Sequence, residues 1–264
     1  MTNNRISPKS EIHPSVKIGK NVTIEACTII DDNVTIGDNT WIASNVRIFS
    51  GARIGSGCKI FPGAVIAAIP QDLKFKGEES FVEIGSDTTI RECVTINRGT
   101  AAKGKTIVGS NCLIMAYTHI AHDVTIGNNC ILTNSVQIAG EVEIGDYAGI
   151  GGGTMVHQFC KVGKHAFISG MTPVISDIPP YIKAVGIGMP AKYQGINYVG
   201  LKRRGFTKQA IDTIHEIYRI LYQESMNTSQ ALDYIEEKFD YSEEKSEIIS
   251  FIKKSQRGII KGFS

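Results

Sequence analysis

The chain has 264 residues, a net charge of +2 and 20% charged residues. That length holds one large domain with an appendage, and so small a charge excludes a global field for nucleic acid or an anionic membrane surface. There is no 18-residue apolar run, and the opening MTNNRISPKS has no signal-peptide core, so a cytoplasmic protein without membrane insertion is expected.

From position 12 to position 174 every sixth residue is Ile, Leu or Val, apart from Asp72, Glu78 and Ala102. A helix repeats every 3.6 residues and a half-buried strand every 2, so neither accounts for a strict six. A coil of three short strands does, with three units closing an 18-residue turn and successive turns stacked at parallel-strand spacing of about 4.8 Å. The expectation is a mainly β chain whose residues 1–190 form a parallel β-helix of about nine turns, on the order of 45 Å long. Four residues after each aliphatic stands a smaller one, as in Val22, Thr28, Val34, Thr40, Ala52 and Cys58. Alternating large and small inward rows suit a narrow core. Cys58, Cys112, Cys130 and Cys160 fall on that small row and read as core filler; Cys112 and Cys130 should stack, with no disulfide expected in a reducing compartment. Gly often follows the aliphatic (Gly19, Gly37, Gly55, Gly127), which suggests corner backbone conformations there.

The aliphatic row fails twice. Residues 70–81 (PQDLKFKGEESF) and 98–106 (RGTAAKGKT) read as loops thrown out from the coil, and loops on a rigid scaffold often carry binding residues. Beyond position 190 the pattern becomes helical, so residues 191–264 are expected to form an all-α segment of three helices led in by GLKRRGF. Thr207 can cap the first, holding Ile211, Ile214, Tyr218 and Leu221. Thr228 or Ser229 can cap the second, and Ser242 the third, with Gly258 as a stop signal.

His122 is the strongest catalytic candidate. It stands two residues after Ile120, on neither inward row, so it cannot be a core histidine. Asp123 follows and can orient the ring, provided corner geometry turns the two side chains together. Position 140, one turn on, is Gly140; it reads equally as a corner glycine or as an open backbone N–H suited to an oxyanion. One further turn gives Gln158 beside His157, and His119 precedes His122 on its own unit. His157 is two turns from His122, roughly 10 Å along the axis, so no shared metal ion is expected. Lys202, Arg203 and Arg204 read as a solvated cluster, or as a pyrophosphate clamp or dock for an acidic carrier protein. Lys253, Lys254, Arg257 and Lys261 add positive charge near the C-terminus, while His13, His165 and His215 receive no role.

The repeat resembles the hexapeptide-repeat acyltransferases, which implies a left-handed coil where ordinary parallel crossovers are right-handed. IAHDVTIGNNCILTN, VHQFCKVG, DIPPY and GLKRRGF, with PQDLKFKGE and TINRGT in the excursions, resemble the UDP-N-acetylglucosamine acyltransferase family over essentially the whole chain. The resemblance implies a homotrimer with sites in the clefts between prisms. It implies transfer of an R-3-hydroxyacyl group from acyl carrier protein to the 3-hydroxyl of UDP-N-acetylglucosamine, the first step of lipid A synthesis, with no cofactor. By that likeness His122 is the general base, Asp123 holds it, and the Gly140 N–H stabilises the oxyanion. His119, His157 and Gln158 resemble substrate-positioning residues. Gln71, Asp72 and Lys74 resemble a loop gripping the sugar nucleotide from across the cleft, Asn197 and Arg204 nucleotide contacts, and Gly170 the floor for the acyl chain. Two positions depart from the family pattern: Glu141 replaces a histidine, and the stretch around Gly188 lacks another.

Rival readings share the coil. An N-acyltransferase would be expected to carry a globular domain before the repeat, and the helical tail argues against an acetyl-CoA-dependent sugar acetyltransferase. A structural or ice-binding β-helix would show monotonous outward Thr rows. A gamma-class carbonic anhydrase stays open on fold alone, with bound zinc as its discriminating sign.

Overall fold

The computed structural model describes residues 3–223 and 226–262. Most strands of the coil are two residues long, an outward residue followed by an aliphatic that points in, as in Thr23–Ile24 and Trp41–Ile42. Among the described residues, three sheets make the faces of a left-handed prism. The first face has eleven strands, from Arg5–Ile6 to Lys192–Ile196. The second has nine, from Glu11–Ile12 to Pro173–Val174, and the third eight, from Lys17–Ile18 to Lys161–Val162. Beyond the half-buried first turn (Ile12, Val16, Ile18), both inward rows are buried: Ile42, Ile60, Ile96 and Ile120 are fully covered, as are Cys58, Cys130 and Cys160. Covering each such isoleucine contributes about 1.5–3 kcal/mol, which is what holds strands this short together.

The register explains why the six-residue phase survives both loops. Thr23 pairs with Trp41, an offset of 18. Lys59 pairs with Thr89, twelve more than 18, and Thr95 with His119, six more. Each loop therefore adds whole units, and Asp72, Glu78 and Ala102 stand where a unit has left the coil.

The corners correct one expectation. The left-handed conformation falls on the third residue after the aliphatic, at Asn21 (φ 56°), Asn33 (φ 51°), Asn39 (φ 58°) and Asn129 (φ 58°), and not on the glycine that follows it. Asn tolerates that region best among residues with a side chain. The corner N–H is used: that of Asn39 donates to the Lys20 carbonyl at 2.8 Å. Gly37 is small for another reason. A Cβ there would lie 2.5 Å from the Gly55 carbonyl carbon and the Ser56 nitrogen, so these glycines let the turns stack.

The first sheet continues past position 190. Ile182–Val185 and Lys192–Ile196 form an antiparallel hairpin on its end, and Gly188 (φ 67°) lies in the turn between them. Four helices follow among the described residues: α1 (Tyr198–Arg203), α2 (Lys208–Gln223), α3 (Thr228–Lys238) and α4 (Glu243–Lys253). The short α1 was not expected; it forms from the GLKRRGF lead-in because Asn197 caps it, accepting from the Gly200 N–H. The cap of α3 is Asn227, in a capping box with Gln230, and not Thr228 or Ser229. Ser242 caps α4 as expected, but that helix ends at Lys253, well before Gly258. The helices seat on the coil end through tyrosines. Tyr218 is fully buried and donates to the Pro180 carbonyl at 2.6 Å, and Tyr222 stacks on Tyr193 at 4.2 Å. No helix among the described residues is long and apolar enough to cross a membrane.

Candidate active site

His122 lies on the corner between His119–Ile120 of the second face and Thr125–Ile126 of the third. It points out of the coil, yet it is only 8% exposed, because both excursions fold back over it. Asp123 takes the left-handed corner conformation (φ 59°), and this turns the two neighbouring side chains toward each other. His122 Nδ1 is 2.9 Å from Asp123 Oδ2.

Asp123 is fully buried, and the second excursion surrounds its carboxylate. The Thr100 N–H reaches Oδ1 at 3.0 Å and Oδ2 at 3.2 Å, the Thr100 hydroxyl donates to Oδ2 at 2.6 Å, and the Lys103 N–H donates to Oδ1 at 3.2 Å. The first excursion covers the other side of the ring. Asp72 Oδ2 stands 3.8 Å from His122 Nε2. The expectation had this loop reaching in from across a cleft; here it closes over the histidine of its own chain. Gln71 and Lys74 are exposed on the same loop, whose turn is fixed by the Lys74 N–H on Asp72 Oδ1 at 2.9 Å. Glu78 ties the two excursions together by accepting from the Ala101 N–H at 2.9 Å.

Gly140 lies directly beneath the imidazole. A Cβ at position 140 would be 2.6 Å from both Cε1 and Nε2 of His122. Its φ is not in the left-handed region, so the residue is glycine for the sake of the ring and not as a corner device. The Gly140 carbonyl accepts from the Phe159 N–H at 3.2 Å, while its own N–H has no acceptor among the described residues.

The other candidates are spread around this corner and beyond it. His119 is hydrogen-bonded to Thr95 Oγ1 at 2.7 Å, and burial lowers its pKa. His157 is exposed on the same edge two turns up, with Nδ1 3.1 Å from the Gln158 carbonyl. Gly170 sits on a different corner, between Phe167–Ile168 of the first face and Pro173–Val174 of the second, backed by the Gly152 carbonyl. Asn197 and Arg204 line a cavity of about 810 Å³ between α1 and the first face, with Ile131, Phe167 and Lys183. The first face is opposite the corner that carries His122, so one chain does not bring these two groups together. The Asn197 side chain is partly engaged, donating to the His165 carbonyl at 2.9 Å and capping α1. Among the described residues no group of three or more His, Cys, Asp or Glu is arranged to hold a metal ion.

Two residues escaped the sequence reading. Thr100 lay in a stretch read as an external loop, at the end of the TINRGT motif, without being singled out itself. His165, given no role, stacks between Tyr147 (4.8 Å) and Tyr181 (5.6 Å), and the Arg204 guanidinium lies 5.4 Å over Tyr147. Burial, aided by Arg204, pushes the His165 pKa down to about 4.

Known proteins share this architecture. Residues 177–260 match the second domain of the UDP-N-acetylglucosamine O-acyltransferases, and residues 33–68 and 105–140 match the bacterial transferase hexapeptide repeat. The acyl-[acyl-carrier-protein]--UDP-N-acetylglucosamine O-acyltransferase of Chlorobaculum parvum is 57% identical over 196 residues, 74% of each chain. That of Aquifex aeolicus is 58% identical over 200 residues, 75% of this chain and 76% of its own. The UDP-N-acetylglucosamine acyltransferase structure from Bacteroides fragilis superposes with a TM-score of 0.94 at 55% identity, covering 97% of this chain and 99% of that one. The Francisella novicida enzyme gives 0.95 at 41% identity, covering 97% and 94%. The chain belongs to the UDP-N-acetylglucosamine O-acyltransferase family.

Proposed function

We propose that this chain transfers an R-3-hydroxyacyl group from acyl carrier protein to the 3-hydroxyl of UDP-N-acetylglucosamine, the first step of lipid A synthesis, as a homotrimer. The observation that carries the reading is the buried His122 ring, tethered at Nδ1 by Asp123 and lying flat on Gly140, whose N–H is unused. With Nδ1–H donating to Asp123, the Nε2 lone pair faces the space under Asp72. It takes the proton of the sugar hydroxyl as that oxygen attacks the thioester carbonyl. The tetrahedral oxyanion accepts from the Gly140 N–H, an uncommitted donor fixed by the coil. Collapse breaks the C–S bond, and the imidazolium at Nε2 returns its proton to the departing carrier thiolate. No metal or cofactor is needed for the proton balance.

Substrate roles follow from position. Gln71, Asp72 and Lys74 hold the sugar near Nε2. His119, His157 and Gln158 line the same edge and position the acceptor and the pantetheine arm. Arg204 binds the pyrophosphate, and Asn197 keeps one amide hydrogen and one lone pair free for the nucleoside. An acyl chain crossing the second face from His122 passes the exposed Met155 and ends at the Gly170 corner. Because Asn197 and Arg204 stand opposite His122 in one chain, a nucleotide touching both is held between two copies, which is what supports the trimer. Lys202, Arg203 and the basic C-terminal residues form the surface for the acidic carrier.

The test is acyl transfer from a panel of R-3-hydroxyacyl carrier proteins to UDP-N-acetylglucosamine, with wild type beside His122→Ala. Product from wild type alone, with one preferred chain length, supports the reading. Folded wild type that makes no product with any donor refutes it.

A further inference from the structure

Asp123 is asked to hold a histidine in one tautomer from a position with no access to water. A carboxylate has about four lone-pair sites, and it acts as a pure acceptor only when ionised. Here the sites are filled by His122 Nδ1, the Thr100 N–H, the Thr100 hydroxyl and the Lys103 N–H. Three of the four donors come from one four-residue turn of the second excursion. That turn is itself closed by the Gly104 N–H on the Thr100 carbonyl at 2.7 Å and by the Ala102 N–H on Thr100 Oγ1 at 3.2 Å. The result is a small nest of donors wrapped around a single buried anion. Two of its donors are backbone and persist whatever the side chain; the Thr100 hydroxyl is the one that a substitution removes.

We infer that Thr100 is a positioning residue for acyl transfer: its turn keeps the Asp123 carboxylate aimed at Nδ1, and so fixes His122 as the Nδ1–H tautomer with Nε2 free to act as base. This rests on the reading of His122 as the base. The hydroxyl donates to Oδ2, the same oxygen that holds Nδ1. Without it, Oδ2 keeps only the longer bond from the Thr100 N–H beside Nδ1, the carboxylate can turn, and the ring is no longer held in one tautomer. The other charged groups around the ring are Asp72 on the first excursion, Lys103 on the second (its Nζ 3.7 Å from Glu143) and Glu141 one turn on. All are unchanged across a Thr100 series, so differences within it report the hydroxyl.

The experiment compares wild type, Thr100→Val and Thr100→Ser, with Thr100→Ala in place of valine if that variant does not fold. The kcat and the KM for both substrates are measured, with His122→Ala alongside. The expected result for valine is a kcat down roughly tenfold, as for loss of a hydrogen bond to a charged group, with both KM values unchanged. Serine restores the rate. A valine variant with wild-type kcat overturns the inference. So does serine as impaired as valine, or a lower kcat with His122 still wholly in the Nδ1–H form, which would assign Thr100 to holding the loop alone. A separate readout does not depend on turnover. In 15N-histidine-labelled protein at pH 8, His122 should show a protonated Nδ1 and a bare Nε2, with a mixed population in valine. A wild-type Nε2–H tautomer overturns the inference even if acyl transfer is confirmed. Inactive wild type, or active His122→Ala, defeats the proposed function instead.

Discussion

Gly140→Ala adds a single methyl group, and its effect follows from where that methyl must go. The new Cβ would stand 2.6 Å from His122 Cε1 and Nε2 and 3.2 Å from Nδ1. Ordinary contact begins near 3.4 Å, so the ring must retreat by close to an ångström. It has no slack to do so: Nδ1 is tied to Asp123, and Asp123 is held by Thr100 and Lys103. A misplacement of about 1 Å at a reacting group costs on the order of 100-fold in rate, or about 2.7 kcal/mol of transition-state stabilisation. The substitution keeps the backbone N–H, and φ at 140 is not left-handed, so neither loss of the oxyanion donor nor backbone strain contributes. The fold should bear it, since overpacking at one edge costs roughly 1–3 kcal/mol against a core shared among many turns. Steady-state acyl transfer and thermal unfolding, measured on the same preparation, separate the two effects. A variant with wild-type kcat would refute the claim that the ring rests on this glycine, and so would one whose loss of rate simply tracks a loss of folded protein.

Three further outcomes follow. The His165 pKa is depressed to about 4 by burial, against ~6.5 unfolded; the unfolded chain takes up the proton first, so stability is full above that value and falls as pH drops toward 4. Allowing for the ring's partial exposure, the loss is about 1–2 kcal/mol, and denaturation midpoints at pH 7 and 4.5 should show a smaller drop for His165→Asn. Gly37→Ala, whose Cβ meets backbone at 2.5 Å, should destabilise the coil by roughly 1–3 kcal/mol; chemical denaturation showing no change would contradict close stacking at that corner. Arg204→Lys keeps the charge but loses the planar fork, so KM for the sugar nucleotide should rise about tenfold with kcat little altered, measured by steady-state kinetics.

Much of the architecture was legible because the coil repeats itself. The aliphatic row names the inward residues, and both loops keep its phase by adding whole units, so counting by six leads to the correct corner for His122, Gly140 and Gln158. The corner conformation was misassigned to the glycines, because stacking glycines and left-handed asparagines both recur every six residues, and composition alone does not say which of them carries φ. That same conformation decides whether Asp123 turns toward His122. Thr100 was invisible for a different reason. Its partner lies 23 residues away, and nothing in a loop sequence tells where the loop folds back. Asn197 and Arg204 were assigned from resemblance; the structure adds that they stand on the face opposite His122.

That separation supplies the most direct test. His122→Ala and the double variant Asn197→Ala, Arg204→Ala are purified separately, then unfolded, mixed in equal amounts and reassembled. Each alone should be inert. If a site joins the His122 corner of one copy to the α1 cavity of another, random assembly restores roughly one site in four, and the mixture recovers about a quarter of wild-type acyl transfer. Mixed assemblies with no more activity than either parent would contradict a site shared between copies.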